Sequence, residues 1–210
     1  MTEFWESSFI ENQMMWGFEP SDSAILTKDF FLEKNVKDIL IPGIGYGRNA
    51  KIFMDNGINV TGIEISTTAI ELARENGLNM NTFIGSVTDM PFDNKLYDGI
   101  FCYALIHLLS KHEREKFIKD CFQQLKPNGY MIFTTISKEA PMFGKGKQLG
   151  KDYFEIMEGL KMFFYDFDSI KQEFENYRLI EVSEISEPNK NMENKPSFPF
   201  IMVKCQKEQS

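Results

Sequence analysis

The segment that most constrains the fold of this chain is an apolar strand that runs into spaced glycines and then into a helix. The apolar run Ile39–Ile41 leads to Gly43, Gly45 and Gly47, and a helical pattern begins near Arg48. Gly43 permits a tight turn, and Gly45 lets the backbone approach a ligand because it carries no Cβ. The free N–H groups at the start of the helix then point at the bound molecule. The pattern predicts a loop that binds a nucleotide cofactor.

An acidic residue at the end of the next apolar run supports this prediction. Glu64 follows Gly43 by 21 residues and comes directly after the run 59–63. An acid at this distance is placed to accept hydrogen bonds from both hydroxyls of a ribose. The glycine spacing also distinguishes a dinucleotide cofactor from other nucleotide cofactors. A dinucleotide fingerprint needs its third glycine at position 48, where this chain has Arg48.

Strand and helix patterns alternate after this loop, which predicts a parallel sheet with right-handed crossovers. Asp98–Tyr103 has the continuous apolar character of a strand buried on both faces, and Tyr130–Thr135 is the fifth strand. Four helix starts are predicted from capping residues, which are Ser21, Ser66 or Thr68, Ser110 and Asp166. Strands near 179–185 and 198–205 end the sheet, and a polar hairpin over 187–197 joins them. The segment 137–159 departs from the alternation and is predicted to be a flexible insertion.

Composition excludes several classes of protein. The length of 210 residues fits one α/β domain, and the net charge of −8 is unfavourable for a protein that must neutralise many phosphates. The longest nearly apolar run, Gly99–Leu109, is too short for a bilayer span of ~20 residues. We therefore expect no nucleic-acid partner and no membrane partner. The 20 Phe and 12 Met residues indicate either a generous apolar pocket or only a well-filled core.

The cysteines and histidines indicate a cytoplasmic protein without a metal site. Cys102, Cys121 and Cys205 are odd in number, far apart and embedded in apolar segments, so they are predicted to be buried thiols in a reducing compartment. His107 and His112 have no cysteine partners at metal-binding spacing.

Three short motifs resemble those of one known family, the class I S-adenosylmethionine (SAM) dependent methyltransferases. Gly45-Tyr46-Gly47-Arg48-Asn49 is similar to the tellurite-resistance methyltransferases, and Ile41-Pro42-Gly43 is similar to the thiopurine methyltransferases. Leu125-Lys126-Pro127-Asn128-Gly129-Tyr130 resembles the turn that precedes the fifth strand in this family. The resemblance runs from about Val36 to the C-terminus. It implies SAM as cofactor, S-adenosyl-L-homocysteine (SAH) as product, and a Rossmann-like, doubly wound α/β fold. In this fold a mostly parallel seven-stranded sheet has helices on both faces and an antiparallel C-terminal strand.

The resemblance also implies a set of cofactor-binding residues. They are Gly43, Ile44, Gly45, Glu64, Ile65, Ser86, Val87 and Tyr103. Ser86 stands where the family usually has an acid that holds adenine, and Asp89 is an alternative acceptor. Ile41 stands where the family usually has an acid for the methionine ammonium group. Either backbone carbonyls of the Gly43–Gly45 turn or water takes that role.

The acceptor side of the site is predicted from aromatic residues and one histidine. Tyr103 ends the fourth strand, where its ring could stabilise a sulfonium charge, and His107 is the only general base suggested by residue type. Packing alone would also explain both. The resemblance implies one methyltransferase domain over 1–210, with a helical lid segment over 1–35 and a core over 36–210. Trp16, Phe18 and Phe143 are the predicted lid residues, and the alternative is that the aromatic residues of the first segment only pack onto the sheet.

The sequence therefore favours a SAM-dependent methyltransferase that transfers a methyl group in line to a small, partly apolar acceptor. The acceptor atom is O, N or S, and no oligomeric state is assigned. A second interpretation is a SAM-binding sensor or partner subunit without turnover. A nicotinamide-dependent oxidoreductase is disfavoured by Arg48.

Overall fold

Ten strands and six α-helices make up the part of the chain that the computed structural model describes, residues 2–188 and 197–209. The strands are β1 (Asp38–Pro42), β2 (Asn59–Glu64), β3 (Asn81–Ile84), β4 (Tyr97–Tyr103), β5 (Leu125–Ile136), β6 (Lys147–Gly150), β7 (Tyr153–Met157), β8 (Leu160–Phe163), β9 (Leu179–Glu187) and β10 (Phe198–Gln206). The helices are α1 (Thr2–Asn12), α2 (Asp22–Glu33), α3 (Ala50–Asp55), α4 (Thr67–Glu75), α5 (Lys111–Gln123) and α6 (Phe167–Phe174).

A seven-stranded sheet in the order β3-β2-β1-β4-β5-β10-β9 forms the centre of the fold. The first five of these strands pair in parallel, and β10 pairs antiparallel with both β5 and β9. This is the predicted Rossmann-like sheet with its antiparallel C-terminal strand, so the fold prediction is confirmed. The carboxyl ends of β1, β2, β3 and β4 meet at one edge, which is where such folds bind ligands.

The sheet is buried on both faces, which explains why β4 is continuously apolar. Ile100 and Cys102 point into the cluster beneath α5 and α6, whereas Phe101 points into the cluster beneath α2 and α3. All three side chains are fully buried. The three cysteines are free and buried, as predicted. Among the described residues, no helix is long and apolar enough to cross a membrane.

The predicted capping residues begin four of the helices. Ser21 and Ser66 accept hydrogen bonds from the backbone of the first turns of α2 and α4. Ser110 and Glu113 form the predicted capping box of α5, and Asp166 caps α6. Local side chain to backbone bonds were therefore a reliable guide to where helices begin.

The prediction of a flexible insertion over 137–159 is wrong. The chain there forms a three-stranded antiparallel sheet in the order β6-β7-β8. Phe154 and Met162 bury their side chains in a cluster that this small sheet shares with β5 and β10. Lys138 forms ion pairs with Asp152 and Asp166 at its base. The glycines near position 145 do lie in a turn, residues 141–146, and the strands begin at Lys147.

The structure describes only part of the polar hairpin predicted over 187–197. Residues 189–196 lie outside the described residues. Glu187, its first residue, is not a solvated hairpin residue, because it ends β9 and is only 4% exposed. Its surroundings belong to the site described below.

Candidate functional site

A cavity of about 580 Å³ lies at the carboxyl ends of the parallel strands. Its volume is in the range of small-molecule sites, roughly 300–1,000 Å³. The structure brings all eight residues of the predicted cofactor site to its walls, together with His107, Trp16 and Phe18. The eight are Gly43, Ile44, Gly45, Glu64, Ile65, Ser86, Val87 and Tyr103. The lining is predominantly apolar, with polar groups at a few places.

Gly43 and Gly45 have different roles in the turn. Gly43 has φ +68°, which strains any other residue, and a Cβ built there would lie 2.2 Å from Leu105 Cδ1, so the Leu105 side chain would have to move. Gly45 has φ +56°, and its nearest atom would be Phe9 Cζ at 3.8 Å. Gly43 is therefore needed for the turn to pack, while Gly45 leaves open space on the cavity side.

Glu64 connects the turn to the end of β2. Its carboxylate is 5% exposed and accepts backbone N–H groups from Gly45 at 2.8 Å, Ile65 at 2.8 Å and Ser66 at 2.9 Å. Burial raises the pKa of Glu64, and these hydrogen bonds oppose that rise. A carboxylate has about four acceptor positions. Three are filled, so one position remains for a ribose hydroxyl.

The predicted adenine end lies on the loop after β3. Ser86 Oγ accepts from Thr88 N at 3.2 Å and lies 2.7 Å from Thr88 Oγ1, so its hydroxyl already stabilises this loop. Val87 is buried and lines the cavity. Asp89, the alternative acceptor, is exposed, and the structure does not bring it to the cavity wall. Leu105 and Leu109 also line the cavity, so apolar side chains are available to a base at this end.

Tyr103 and Glu187 form a polar pair at another part of the wall. The Tyr103 hydroxyl donates to Glu187 Oε2 at 3.0 Å, and Ser23 N donates to Glu187 Oε1 at 2.9 Å. The Tyr103 ring is stacked on Phe200, with ring centres 6.1 Å apart. Burial, followed by the Glu187 charge, raises the pKa of Tyr103. Burial also raises the pKa of Glu187.

His107 is 4% exposed and lies beyond the end of β4. Its Nδ1 accepts the N–H of Ile136 at 3.3 Å, so the neutral ring carries its proton on Nε2. Because β4 ends at Tyr103, the N–H of Ile136 lies beyond the last residue of that strand, and His107 accepts it instead. Burial lowers the pKa of His107 to about 3. A ring with so low a pKa is poorly suited to the predicted role of general base. Its Nε2–H can instead donate a hydrogen bond.

The N-terminal segment covers the cavity with aromatic rings. Trp16 is 43% exposed and stacks on Tyr46, with an interplanar angle of 13° and ring centres 6.3 Å apart. Tyr46 belongs to the glycine turn, and its hydroxyl donates to Gly17 O at 2.8 Å and accepts from Trp16 N at 3.2 Å. Phe18 is 51% exposed and lines the same opening. The turn and the covering segment are therefore held directly to each other.

Phe143 does not reach the cavity. Its ring packs edge-on against Phe154 and Phe164 in the small-sheet cluster, with centres 5.6 Å and 5.4 Å away. The insertion contributes to the wall through Leu160 and Met162 of β8 instead. The turn at 142–146 therefore packs against the small sheet and does not line the cavity.

Sequence reasoning missed several residues of the wall. They are Phe9, Asp22, Leu160, Met162, Glu187, Phe198 and Phe200. Most come from elements that are far from the glycine turn in sequence, so no local spacing linked them to it. The Phe198-Pro199-Phe200 run was the one available signal, because alternating aromatic residues at a strand end face a common side.

The sequence resembles a known enzyme domain over its central part. The profile of the methyltransferase domain family matches residues 40–133. A ubiquinone biosynthesis O-methyltransferase of Rickettsia canadensis (strain McKiel) is 33% identical over 105 residues, which are 48% of this chain and 43% of that protein. The chain spans less than half the length of the curated relatives it matches.

Solved structures extend the likeness over nearly the whole chain. A 1,6-didemethyltoxoflavin-N1-methyltransferase of Burkholderia thailandensis, with S-adenosylhomocysteine bound, superposes with a TM-score of 0.74 at 14% identity. The superposition covers 99% of this chain and 87% of that one. TehB of Haemophilus influenzae superposes with a TM-score of 0.64 at 18% identity, over 89% of this chain and 62% of that one.

Residues 40–133 match a methyltransferase domain, and the fold is shared with solved SAM-dependent methyltransferases, which agrees with the predicted resemblance. Both findings support SAM as the cofactor. The residues present also fit it, because Gly45 leaves a cradle that a side chain would narrow and Glu64 keeps a free acceptor position. Within residues 2–188 and 197–209, no group of three or more His, Cys, Asp or Glu side chains is arranged to hold a metal ion.

Proposed function

We propose that the protein is a SAM-dependent methyltransferase that acts on a small, partly apolar acceptor by direct in-line transfer. The observation that carries this proposal is the single cavity that joins the glycine turn and Glu64 to an aromatic and aliphatic wall. When bound, SAM supplies an electrophilic methyl group on a sulfonium centre. The acceptor supplies a nucleophilic O, N or S atom.

The two parts of the cavity suit the two ligands. Gly43–Gly45 and Glu64 would hold the ribose, and the Ser86–Val87 loop would hold adenine. Leu108, Leu160, Met162, Phe198 and Phe200 offer an apolar surface to the acceptor. The partly apolar acceptor is inferred from this surface.

The protein contributes chiefly by positioning and by excluding water. Well-oriented reactants gain up to ~7–11 kcal/mol over free ones, and a closed apolar site keeps competing water away. The covering rings of Trp16 and Phe18 are placed for this purpose. An acceptor that reacts as an anion or as a free amine needs no protein base, because its proton would pass to solvent, and this agrees with the lowered pKa of His107. Its Nε2–H would instead orient an acceptor atom by hydrogen bonding.

The remaining assignments follow from the same proposal. We assign residues 1–210 to one methyltransferase domain, in which 1–35 is the lid segment and 36–210 the core. The three buried free thiols are consistent with a cytoplasmic location, and the net charge of −8 speaks against nucleic acid as substrate. The alternative of a SAM-binding sensor without turnover is not favoured, because an acceptor-sized apolar wall continues from the cofactor part of the cavity.

Thermal unfolding with added ligands tests the proposal. A ligand that binds only the folded state stabilises it by about 2.7 kcal/mol at 100 times its Kd. SAM and SAH should raise Tm in the presence of a chelator, and NAD should not. Acceptors with a phenol, amine or thiol on an apolar ring should then yield SAH from SAM. A larger shift with NAD, or no shift with either adenosyl ligand, would overturn the proposal, and SAM binding without SAH formation across such a panel would favour the sensor.

A matched pair of glycine variants locates the binding site. Gly45 and Gly57 both have positive φ, +56° and +76°, and neither would place a Cβ within 3.4 Å of another atom. Gly45→Ala and Gly57→Ala should therefore carry similar backbone strain. Gly45→Ala should also shrink the SAH-induced rise in Tm, because its Cβ faces the cavity. An equal SAH response in both variants would place the cofactor elsewhere.

A further inference from the structure

The amino-acid part of SAM carries an ammonium group, which needs a hydrogen-bond acceptor in the cavity. This inference rests on the proposed function. Ile41, the last apolar residue before the turn, is 2% exposed and packs in the core beneath α2 and α3. The turn itself thus offers the ammonium no acidic side chain.

Four acidic residues line the cavity, and only one of them is both buried and unassigned. They are Glu19, Asp22, Glu64 and Glu187. Glu64 is bound to three backbone N–H groups at the ribose position. Glu19 is exposed and Asp22 is half-buried, whereas Glu187 is 4% exposed. Glu187 is therefore the acid that is best shielded from water.

The position of Glu187 suits the far end of the same ligand. Its partner Tyr103 ends β4, while Glu64 ends β2, and β1 lies between these strands. Two strand spacings amount to about 10 Å. Both Glu64 and the Tyr103–Glu187 pair line the same cavity, so a ligand whose ribose lies at Glu64 can extend along the strand ends toward that pair.

A short chain of hydrogen bonds also fixes Glu187 to the glycine turn. Ser23 N donates to Glu187, and Ser23 Oγ lies 3.2 Å from Ser21 Oγ. Ser21 N in turn donates to Asn49 Oδ1 at 2.9 Å, two residues after Gly47. Any ligand seated on the turn consequently has Glu187 at a defined position.

Charge and hydrogen-bonding capacity point to a cationic ligand. The N–H of Ser23 and the hydroxyl of Tyr103 donate to Glu187, and the Ser23 hydroxyl is a third neutral donor beside it, which leaves at least one of its four acceptor positions open. Within residues 2–188 and 197–209 it has no ion-pair partner. A buried carboxylate is costly unless a positive charge compensates it.

We propose that Glu187 binds the α-ammonium group of SAM and so takes the place of an acid in the glycine turn. Tyr103 and the N-terminus of α2 act as positioning groups, because they hold the carboxylate by its two oxygens. The carboxylate comes from the end of β9, an element that local sequence spacing does not connect with the cofactor.

Calorimetric titration of Glu187→Gln with three ligands tests this assignment. SAM and SAH carry the ammonium group, whereas 5′-methylthioadenosine keeps the adenosine and thioether but lacks the amino-acid part. Glutamine still accepts from Ser23 N, so the local fold should persist. We expect SAM and SAH to bind about tenfold more weakly or worse, as for the loss of a charged hydrogen bond, and 5′-methylthioadenosine to bind within about twofold of the parent.

The other outcomes are decisive as well. Glu184→Gln, on the exposed face of the same strand, is the matched control and should bind all three ligands like the parent. Weakening of SAM alone would place Glu187 at the sulfonium, unchanged binding of SAM and SAH would place it on the acceptor side, and loss of 5′-methylthioadenosine binding would indicate a general defect. Each of these overturns the assignment. If the parent protein binds neither SAM nor SAH, it is the proposed function that fails.

Discussion

At the scale of single residues, Glu64, the proposed ribose ligand, also holds the backbone of the glycine turn in place. It holds the N–H groups of Gly45, Ile65 and Ser66, so its removal would leave three donors without their acceptor. An alanine there would lower stability as well as affinity. The two effects are separated by a variant that keeps the shape of the side chain.

We expect Glu64→Gln to weaken SAH binding by roughly 1–3 kcal/mol, the usual worth of a charge-assisted hydrogen bond. One amide oxygen can still accept from Ile65 and Ser66, but the NH₂ group would face the N–H of Gly45. Calorimetry with SAH measures the loss, and Glu71→Gln, an exposed acid on α4, is the control. An unchanged Kd would show that the end of β2 does not hold the ribose.

Some residues of the site could be predicted from the sequence, and others could not. Glycine spacing and an acid at a fixed distance identified Gly45 and Glu64, because these positions depend on one local strand-turn-helix unit. The spacing could not identify Glu187, which reaches the cavity only after β10 has paired between β5 and β9. It also could not show that His107 is protected from protonation, since that depends on burial by distant elements.

At the scale of elements, the glycine turn and the covering segment form one connected unit. The non-glycine residues of the turn hold the segment: Tyr46 bonds Trp16 and Gly17, Arg48 donates to Glu19 O, and Asn49 accepts from Ser21. Each of these residues lies within the turn motif or directly after it. A ligand that orders the turn should therefore also order the cover.

Hydrogen exchange with and without SAH tests this connection. Residues 12–20 and β8 should gain protection when SAH is bound, whereas 142–147 should not, because that turn packs away from the cavity. Trp16→Ala removes the stack on Tyr46 and should reduce the gain in 12–20. Ile10→Ala, at a position that is 61% exposed on α1, should leave it unchanged. Protection of the Gly43 turn without protection of 12–20 would mean that the segment is not coupled to the cofactor.

The structure of the segment 137–159 also depends on contacts with distant parts of the chain. Its sequence is rich in glycine and lysine near 144–147, which favours a loop, yet Phe154 and Met162 supply a buried face that turns the following residues into strands. Burial against β5 and β10 decides the structure here, and that contact cannot be read from a local window. Helix starts were predictable because caps act within one turn.

At the scale of the whole molecule, His107 makes folding stability depend on pH. Burial lowers its pKa from 6.5 in the unfolded chain to about 3 in the folded protein. Between these values the unfolded state binds a proton that the folded state does not. The contribution of His107 to stability is therefore fully present above pH 6.5 and is lost as the pH falls toward 3.

We expect His107→Asn to lose less stability than the parent protein on acidification. Each pH unit below 6.5 costs up to about 1.4 kcal/mol through this one group, so the stability lost between pH 6.5 and pH 5 should differ by up to about 2 kcal/mol between the two proteins. The asparagine oxygen can still accept the N–H of Ile136. Glu64 and Glu187, whose pKa values are raised, act in the opposite direction, but they do so equally in both proteins.

Urea unfolding at several pH values between 5 and 7 measures the two slopes. His112→Asn is the control, because His112 is exposed at the start of α5 and its replacement should leave the slope of the parent unchanged. Parallel slopes for the parent and His107→Asn would mean that His107 is protonated in the folded protein near pH 6. That result would restore a general-base role for His107, since an imidazole that binds a proton at this pH can also take one from an acceptor.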